Sequence, residues 1–504
     1  MTTSNIQQWH SGIEQNDDRF STAFRDAITV CRHLSIEHVW IDSLCILQSG
    51  DGGQDWQREA ARMGEVYKYA VVNIAASSVV DGEQGLKEGF FRTRDPAFVL
   101  PNIVTASCDL DKQTRRDGVM GDLVNAARKG DAELTDYHVV PLNQFSDNVL
   151  DAPLNQRAWV MQERHLSPRI LHFTSRQIFW ECNETVCSET YPKADPVELF
   201  QRATRTKAFL GRITADKLNL SEAAQPRLND PQFNAQNLWY ALVARYSCGG
   251  LTKTRDKLIA LSGVAREMAQ CMGASENDYV AGLWRHDILY GLLWKTPTIM
   301  GRGGSRVRPG KDEPYQSPSW SWASVNCPVT VNYRLHGTPH DVLAVVETVH
   351  VTPKLDPLGE ILPGAYLRIR GTTYKARLRY VEYGGRIWPE LSIGLLSKIQ
   401  PWGKGSFAVL PDERFLDGDD RQRNDIRLLP MLQSKQKSTI QRQRSESQAW
   451  LVMLMLVPTT GKATDEYERY GIVEPRGNGS DSFLDLGKAG KMVSDPREET
   501  VTIV

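Results

Sequence analysis

A chain of 504 residues is longer than a single hydrophobic core normally fills, so two or three domains are expected. With 60 basic against 61 acidic residues the formal charge is −1, which gives no overall case for a nucleic-acid or anionic-membrane partner. The eight cysteines (Cys31, Cys45, Cys108, Cys182, Cys187, Cys248, Cys271, Cys327) include no Cys-x-x-Cys pair, and they read as free thiols of a reducing, cytoplasmic compartment. No apolar run reaches the roughly 18 residues of a membrane span, and the polar N-terminus does not read as a signal peptide.

Phe24, Ala27, Ile28, Cys31 and Leu34 recur at helical steps, so the first clear element is an amphipathic helix. Residues 39–42 then read as a short buried strand. Ser49 to Gly53 turn the chain, with Asp55 as the N-cap of a second helix carrying Trp56, Ala60, Met63, Tyr67 and Ala70. Residues 71–76 read as the next strand, and helix, strand, helix, strand at this spacing favours parallel pairing through right-handed crossovers. Residues 81–150 are mixed and loop-rich, an insertion with short strands. Residues 153–167 read as a helix, and 169–173 with 177–182 as a hairpin.

Further on, 238–246, 257–272 and 279–294 carry helical periods within a helical region. Trp320 and Trp322 alternate as on a strand and would present one packed aromatic face. After Cys327 the texture becomes β-like, at 342–351, 365–381 and 450–457. The polar stretch at 418–447, with Lys435, Lys437, Arg442 and Arg444, reads as a disordered loop, a nucleic-acid tail being the other reading.

Chemistry concentrates at two places. The apolar run Val39 to Ile41 ends on Asp42 and Ser43, and an acid at the tip of a strand is the usual ligand-facing edge of an open parallel sheet. Asp42 could hold a ligand hydroxyl, cap the following loop, or accept buried amide hydrogen bonds. Cys45 has no neighbouring histidine to activate it, so a core thiol competes with a nucleophile there. Glu59 lies beside the apolar stripe of its helix, where an ion-paired face competes with catalysis. The Gly50-Asp51-Gly52-Gly53 loop lacks the lysine and spacing of a phosphate loop. The second place is Trp159 and Glu163, four apart and therefore on one helix face. Glu163 could act on a substrate, or pair with Arg157, Arg164 or Arg169 and pin its helix. His165 and His172 are isolated in sequence, and no metal site is read.

These stretches carry a resemblance. His38-Val39-Trp40-Ile41-Asp42-Ser43-Leu44-Cys45-Ile46-Leu47-Gln48, followed by Trp56, Glu59, Met63, Tyr67 and Ala70, looks like the second signature block of the fungal heterokaryon-incompatibility (HET) domain. Arg157-Ala158-Trp159-Val160-Met161-Gln162-Glu163-Arg164 is similar to the third. Asp256-Lys257-Leu258-Ile259-Ala260-Leu261-Ser262-Gly263 and Pro318-Ser319-Trp320-Ser321-Trp322-Ala323-Ser324 resemble the family's later signatures, so the likeness runs from about residue 20 to about 330. The family's first block, a strand reading roughly Tyr-x-x-Leu-Ser-Tyr-x-Trp-Gly, has no counterpart. The expectation is an N-terminally shortened member, by gene-model truncation or as a paralogue.

The resemblance implies an α/β fold: a three-layer, parallel-sheet HET domain at 1–190, like the Toll/interleukin-receptor (TIR) domain, with its insertion at about 81–150. A helical region at 191–330 and a β-rich C-terminal domain at 331–504 follow. It implies non-self recognition in filamentous fungi, an innate-immunity-like process, with programmed cell death after incompatible fusion. The Trp159 and Glu163 spacing is similar to the Trp-Cys-x-x-Glu of TIR domains, whose glutamate serves NAD hydrolysis in the enzymatic members. On that likeness Glu163 is the catalytic candidate and NAD the substrate, while Asp42, Ser43, Cys45, Glu59, Arg157 and Trp159 are motif or binding candidates. The competing reading is a non-enzymatic module that assembles with a receptor, with other HET proteins or with itself; a degenerate paralogue is the third.

Overall fold

The computed structural model describes residues 1–12, 17, 19–79, 85–86, 104–107, 136–139, 144–189, 191–193, 235–296, 314–331, 340–383, 386–393, 397–399, 407–412, 422–434, 451–459, 465–475 and 496–504. The chain divides into two compact units. The first comprises Met1–Gly52, Tyr69–Gln156 and Ser167–Gly211, and the second Gly53–Lys68, Arg157–Leu166 and Arg212–Val504.

The first unit opens with helices α1 (Ile6–His10), α2 (Thr22–His33) and α3 (Asp42–Cys45). Ser21 caps α2, its side chain accepting from the Phe24 amide, and Arg32 and His33 occupy the last turn, where cations suit the helix dipole. Strands β1 (Asn73–Ala75), β4 (Arg169–Phe173), β5 (Ile178–Cys182) and β6 (Val186–Ser188) form a sheet in that order. A separate antiparallel pair joins β2 (Val104–Ser107) to β3 (Asp136–Val139), two short strands within residues 81–150.

The sheet is less parallel than expected. Only β1 and β4 run parallel, with Asn73 opposite Ile170 and Ala75 opposite His172, while β4–β5 and β5–β6 are antiparallel. The cause is local: Thr174 Oγ1 donates to Gln177 O at 2.6 Å and accepts from Gln177 N at 3.2 Å, closing a tight turn that returns the chain directly. Both faces of the sheet are covered. Val30 of α2 and Leu86 pack with Phe173, Leu171 and Ile178 on one face; Phe145, Val149 and Leu150 pack with Phe179 and Val186 on the other.

Residues 39–42 are not the expected buried strand. No strand forms between 36 and 41, Val39 is 41% exposed, and Asp42 opens α3. Three apolar residues are too few to commit a strand when the next side chain prefers a helix start. The amino terminus ties this region down: Gln48 N donates to Met1 O at 2.8 Å, Thr3 N to Ser49 O at 3.2 Å, and the Met1 ammonium to Ser43 O.

In the second unit, α4 (Gln54–Tyr69, up to Lys68), α5 (Trp159–Leu166), α6 (Ala235–Tyr246) and α7 (Ser262–Met272) supply the helices. Asp55 lies in the first turn of α4, not at its cap. The helix expected at 153–167 is a 3-10 turn (Pro153–Gln156) followed by α5. The helix expected at 279–294 is instead a hairpin of β7 (Tyr279–Val280) and β8 (Leu283–Trp284), a short α8 (Ile288–Gly291) and β9 (Trp294–Lys295). Ala281 and Gly282, at φ 50° and 93°, form the two-residue turn whose left-handed backbone matches strand twist.

Trp320 and Trp322 are buried as expected, but not on a strand. Ser321 caps a 3-10 turn (Trp322–Ser324), accepting from Ala323 N at 3.0 Å. The segment staples its surroundings: Trp322 Nε1 donates to Gly282 O at 2.8 Å, Trp294 Nε1 to Trp320 O at 2.9 Å, and Ser319 N to Val504 O at 3.0 Å.

The β-rich part pairs β10 (Thr330–Val331) with β9, then builds one sheet from β11 (His340–Val342), β12 (Ala344–His350), β13 (Tyr366–Tyr383), β14 (Arg386–Ile393), β15 (Ser397–Ile399), β16 (Phe407–Pro411), β17 (Gln422–Ser434), β18 (Leu451–Pro458), β19 (Glu466–Pro475) and β20 (Arg497–Ile503). The path β17–β18–β19–β20–β13 returns to β17, so these strands close on themselves and remove open edges. The stretch expected to be disordered is partly β17, with Ile426, Leu428, Leu429, Met431 and Leu432 buried; its remainder lies outside the described residues. The apolar run inside polar flanks decides the outcome there.

Inside this part Arg469 is fully buried. Its guanidinium lies 3.3 Å from the Trp294 ring centroid and donates to Asp412 Oδ2 and Trp294 O.

Candidate functional site

The second unit brings Trp159, Glu163 and Arg157 together with a tryptophan that sequence reasoning left in the core stripe. On α4, Trp56 faces Trp159 of α5 edge-on, ring centroids 6.2 Å apart at 82°. Both rings are half-buried, and so is Glu163, one turn beyond Trp159. Arg157 is exposed just before α5, where it bridges to Gly250, and Ala158 N donates to Gly250 O at 3.0 Å. From that same loop the Lys253 ammonium lies 5.8 Å from the Trp56 centroid.

Behind this surface α5 is anchored in depth. Val160, Met161, Gln162, Arg164, His165 and Leu166 are buried, and Gln162 Oε1 accepts from Gly263 N at 2.7 Å. Gly64 of α4 and Gly263 of α7 meet there: a Cβ on Gly64 would stand 2.9 Å from Gly263 Cα. Lys68 Nζ bonds Glu267 Oε1 at 2.6 Å and ties α4 to α7. His165 spends its Nδ1 on Met161 O at 2.9 Å. Glu163 is therefore carried on a rigid helix, as a positioned carboxylate requires.

Glu59 belongs to a surface ion-pair series. Arg58 Nε reaches its Oε1 at 3.1 Å and Arg62 Nη1 at 3.5 Å, the pairing that competes with a catalytic role.

Asp42, Ser43 and Cys45 fall in the first unit. Asp42 is exposed, and its Oδ1 accepts from Ser43 N at 2.7 Å, which answers to a helix start and not to a buried hydrogen bond. Ser43 is half-buried, with its carbonyl receiving the Met1 ammonium. Cys45 is exposed and so is not the core thiol expected.

A polar constellation in the first unit was not legible in the sequence. Ser77 Oγ lies 3.2 Å from His172 Nδ1, and His172 Nε2 lies 3.0 Å from Glu181 Oε2. Sheet register explains the meeting: Ala75 faces His172, Ser77 follows two residues on, and Glu181 is diagonal to His172 across β4–β5. Phe145 lies edge-on to the imidazole, centroids 5.8 Å apart. The three side chains are 0%, 1% and 1% exposed, so no substrate reaches the hydroxyl. The group satisfies buried polar atoms and clamps three strands. Isolated in sequence, His172 has two partners in the fold.

Two buried titratable groups lie elsewhere in the second unit. Burial pushes the Asp287 carboxyl up to about 7, against a Tyr240 hydroxyl that donates to it. Burial pulls the Lys257 ammonium down to about 8, while it donates to Val325 O.

Among the described residues no helix is long and apolar enough to cross a membrane. No curated protein and no solved structure matches the chain. A family model does: that described as heterokaryon incompatibility protein (HET) matches residues 2–163, a span that holds every candidate residue from Asp42 to Glu163 and ends on Glu163 itself. The likeness to the heterokaryon-incompatibility (HET) family is thus established over residues 2–163 of the 504.

Proposed function

We propose that this chain acts in fungal heterokaryon incompatibility as a cytoplasmic effector of cell death, and that its HET domain cleaves NAD with Glu163 as the catalytic carboxylate. The observation that carries the reading is a half-buried carboxylate one helical turn from a half-buried indole, on a helix whose other residues are locked in packing. The chemistry asks little more. Nicotinamide leaves the ribose as a neutral base, so no general acid is needed, and one carboxylate can stabilise the oxocarbenium-like transition state or orient the attacking water. The TIR-like relationship rests on the Trp159 and Glu163 spacing and on a sheet covered on both faces, which support the reading without a parallel sheet throughout.

Expression of the full chain in a fungal or yeast host should lower cellular NAD and arrest growth, and Glu163→Gln should abolish both. The amide keeps the shape and removes the charge. Undiminished toxicity from a well-folded Glu163→Gln protein would instead assign the death signal to assembly with a receptor, another HET protein or a second copy.

A further inference from the structure

The loop that follows α6 lies outside the span matched by the HET family, yet it completes the surface around Trp159. Residues 249–255 read Gly-Gly-Leu-Thr-Lys-Thr-Arg. The loop is pressed onto the chain just before α5: a Cβ on Gly249 would stand 2.8 Å from Ala158 Cα, so only glycine allows the approach. Ala158 N donates to Gly250 O at 3.0 Å and fixes the register. The consequence is that Lys253 is delivered to Trp56, and Trp56 is already in contact with Trp159.

The two paired segments carry three cations. Arg157, Lys253 and Arg255 are exposed, and none makes an ion pair with a described residue. Of the nearest acids along the chain, Asp55 and Glu59 are held by Arg58, and buried Asp256 feels the charges of both Lys253 and Arg255. Exposed positive charge beside half-buried indoles suits a ligand with a flat heteroaromatic ring joined to phosphates. The ammonium stands 5.8 Å from the ring centroid, near the outer limit of a cation–π contact of about 6 Å. It can leave for a phosphate while a base takes the indole face.

We infer that Trp56 and Lys253 form the nucleotide-holding part of the site, Trp56 stacking a base and Lys253 binding the phosphates, with Arg157 and Arg255 adding positive charge at the rim. The inference deepens the NAD reading and rests on it for the identity of the ligand. It makes Lys253, outside the matched span, a residue that sets affinity and leaves the bond-breaking to Glu163.

Calorimetric titration of the purified full chain with ADP-ribose tests this, because that probe keeps the base and phosphates and has no nicotinamide bond to break. Wild-type protein should bind it, more weakly as salt rises. Lys253→Gln should weaken binding on the order of tenfold, and Trp56→Phe should weaken it while keeping an aromatic packed against Trp159. Glu163→Gln should bind ADP-ribose as wild type does. A wild-type protein that ignores ADP-ribose, or a Lys253→Gln variant that binds it equally well, overturns the inference. The two readings fail separately. ADP-ribose binding without NAD cleavage sinks the proposed reaction and leaves a nucleotide-binding surface; cleavage with a KM unmoved by Lys253→Gln sinks the surface and leaves Glu163.

Discussion

Two polar clusters in this chain have opposite characters. Ser77, His172 and Glu181 are at most 1% exposed and hydrogen-bonded in series, while the surface at Trp56, Trp159, Lys253 and Glu163 is half-open, with Lys253 exposed. The first has the residue types of a hydrolase and none of the access. The second has a less familiar residue set, but a ligand can reach it. Satisfaction and exposure, more than residue type, separate polar groups that hold a fold from those that meet a ligand.

The largest expected effect comes from the most deeply buried pair. Asp412→Ala would leave the Arg469 guanidinium charged, buried and short of its acceptor, a loss of about 3–5 kcal/mol. Replacing both partners with apolar residues of matched volume should recover much of that. If chemical denaturation gave Asp412→Ala wild-type stability, the idea that buried charge here is structural would fail.

Glu181→Ala tests the same principle in the first unit, at a smaller scale. It strands His172 Nε2 beside Phe145 and should cost about 1–3 kcal/mol. Ser77→Ala removes only the hydroxyl and should cost less than Glu181→Ala. Neither should touch ADP-ribose binding if the cluster is structural. A reversal of that order, or an effect of Ser77→Ala on activity without loss of stability, would show that Ser77 does more than clamp strands.

How much of this was legible follows from the range of each interaction. Helical stripes depend on neighbours three and four residues away, and the helices expected around Phe24 to Leu34 and Trp56 to Ala70 exist as α2 and α4. The hairpin at β4–β5 announced itself by two apolar runs and a short turn. The segment 279–294 misled because Ala281-Gly282 is a turn only once both residues enter the left-handed region, which a helical count cannot see. Residues 39–42 misled because burial, which decides a short apolar run, is a tertiary property. That Trp159 and Glu163 share a helix follows from their spacing. The approach of Lys253 to Trp56 does not, since a loop 90 residues beyond Glu163 supplies it, although two glycines followed by Lys253 and Arg255 was a signal worth weighing.

Asp287 gives a pH test within the second unit. Its folded-state carboxyl is raised to about 7 by burial, from an ordinary value near 3.8. The folded chain thus holds that proton more tightly than the unfolded one. The stabilisation is fully present below about 3.8, and it is lost as pH rises through about 7. Asp287→Asn keeps the shape and cannot ionise, so its melting temperature should fall less than that of wild type between pH 5 and 8. Lys257 contributes the opposite slope at higher pH: burial depresses its folded value to about 8 from 10.5, so its contribution to stability rises with pH between them. Identical pH profiles for wild type and Asp287→Asn would mean that water reaches the carboxyl.

The smallest expected stability effect is at Lys253, and there a null result is the informative one. The side chain is exposed, makes no ion pair with a described residue, and touches Trp56 only at the limit of a cation–π contact. Lys253→Gln should therefore shift stability by no more than about 0.5 kcal/mol, the usual range for a surface change. Set beside Glu181→Ala, this completes a crossed pattern: one substitution lowers stability and spares the ligand, the other spares stability and weakens the ligand. Differential scanning calorimetry of both variants, with and without ADP-ribose, measures all four corners. If Lys253→Gln lowered the melting temperature as much as Glu181→Ala did, Lys253 would be part of the packing between its loop and α4. The distinction between a satisfied interior cluster and an open one would then not hold for this chain.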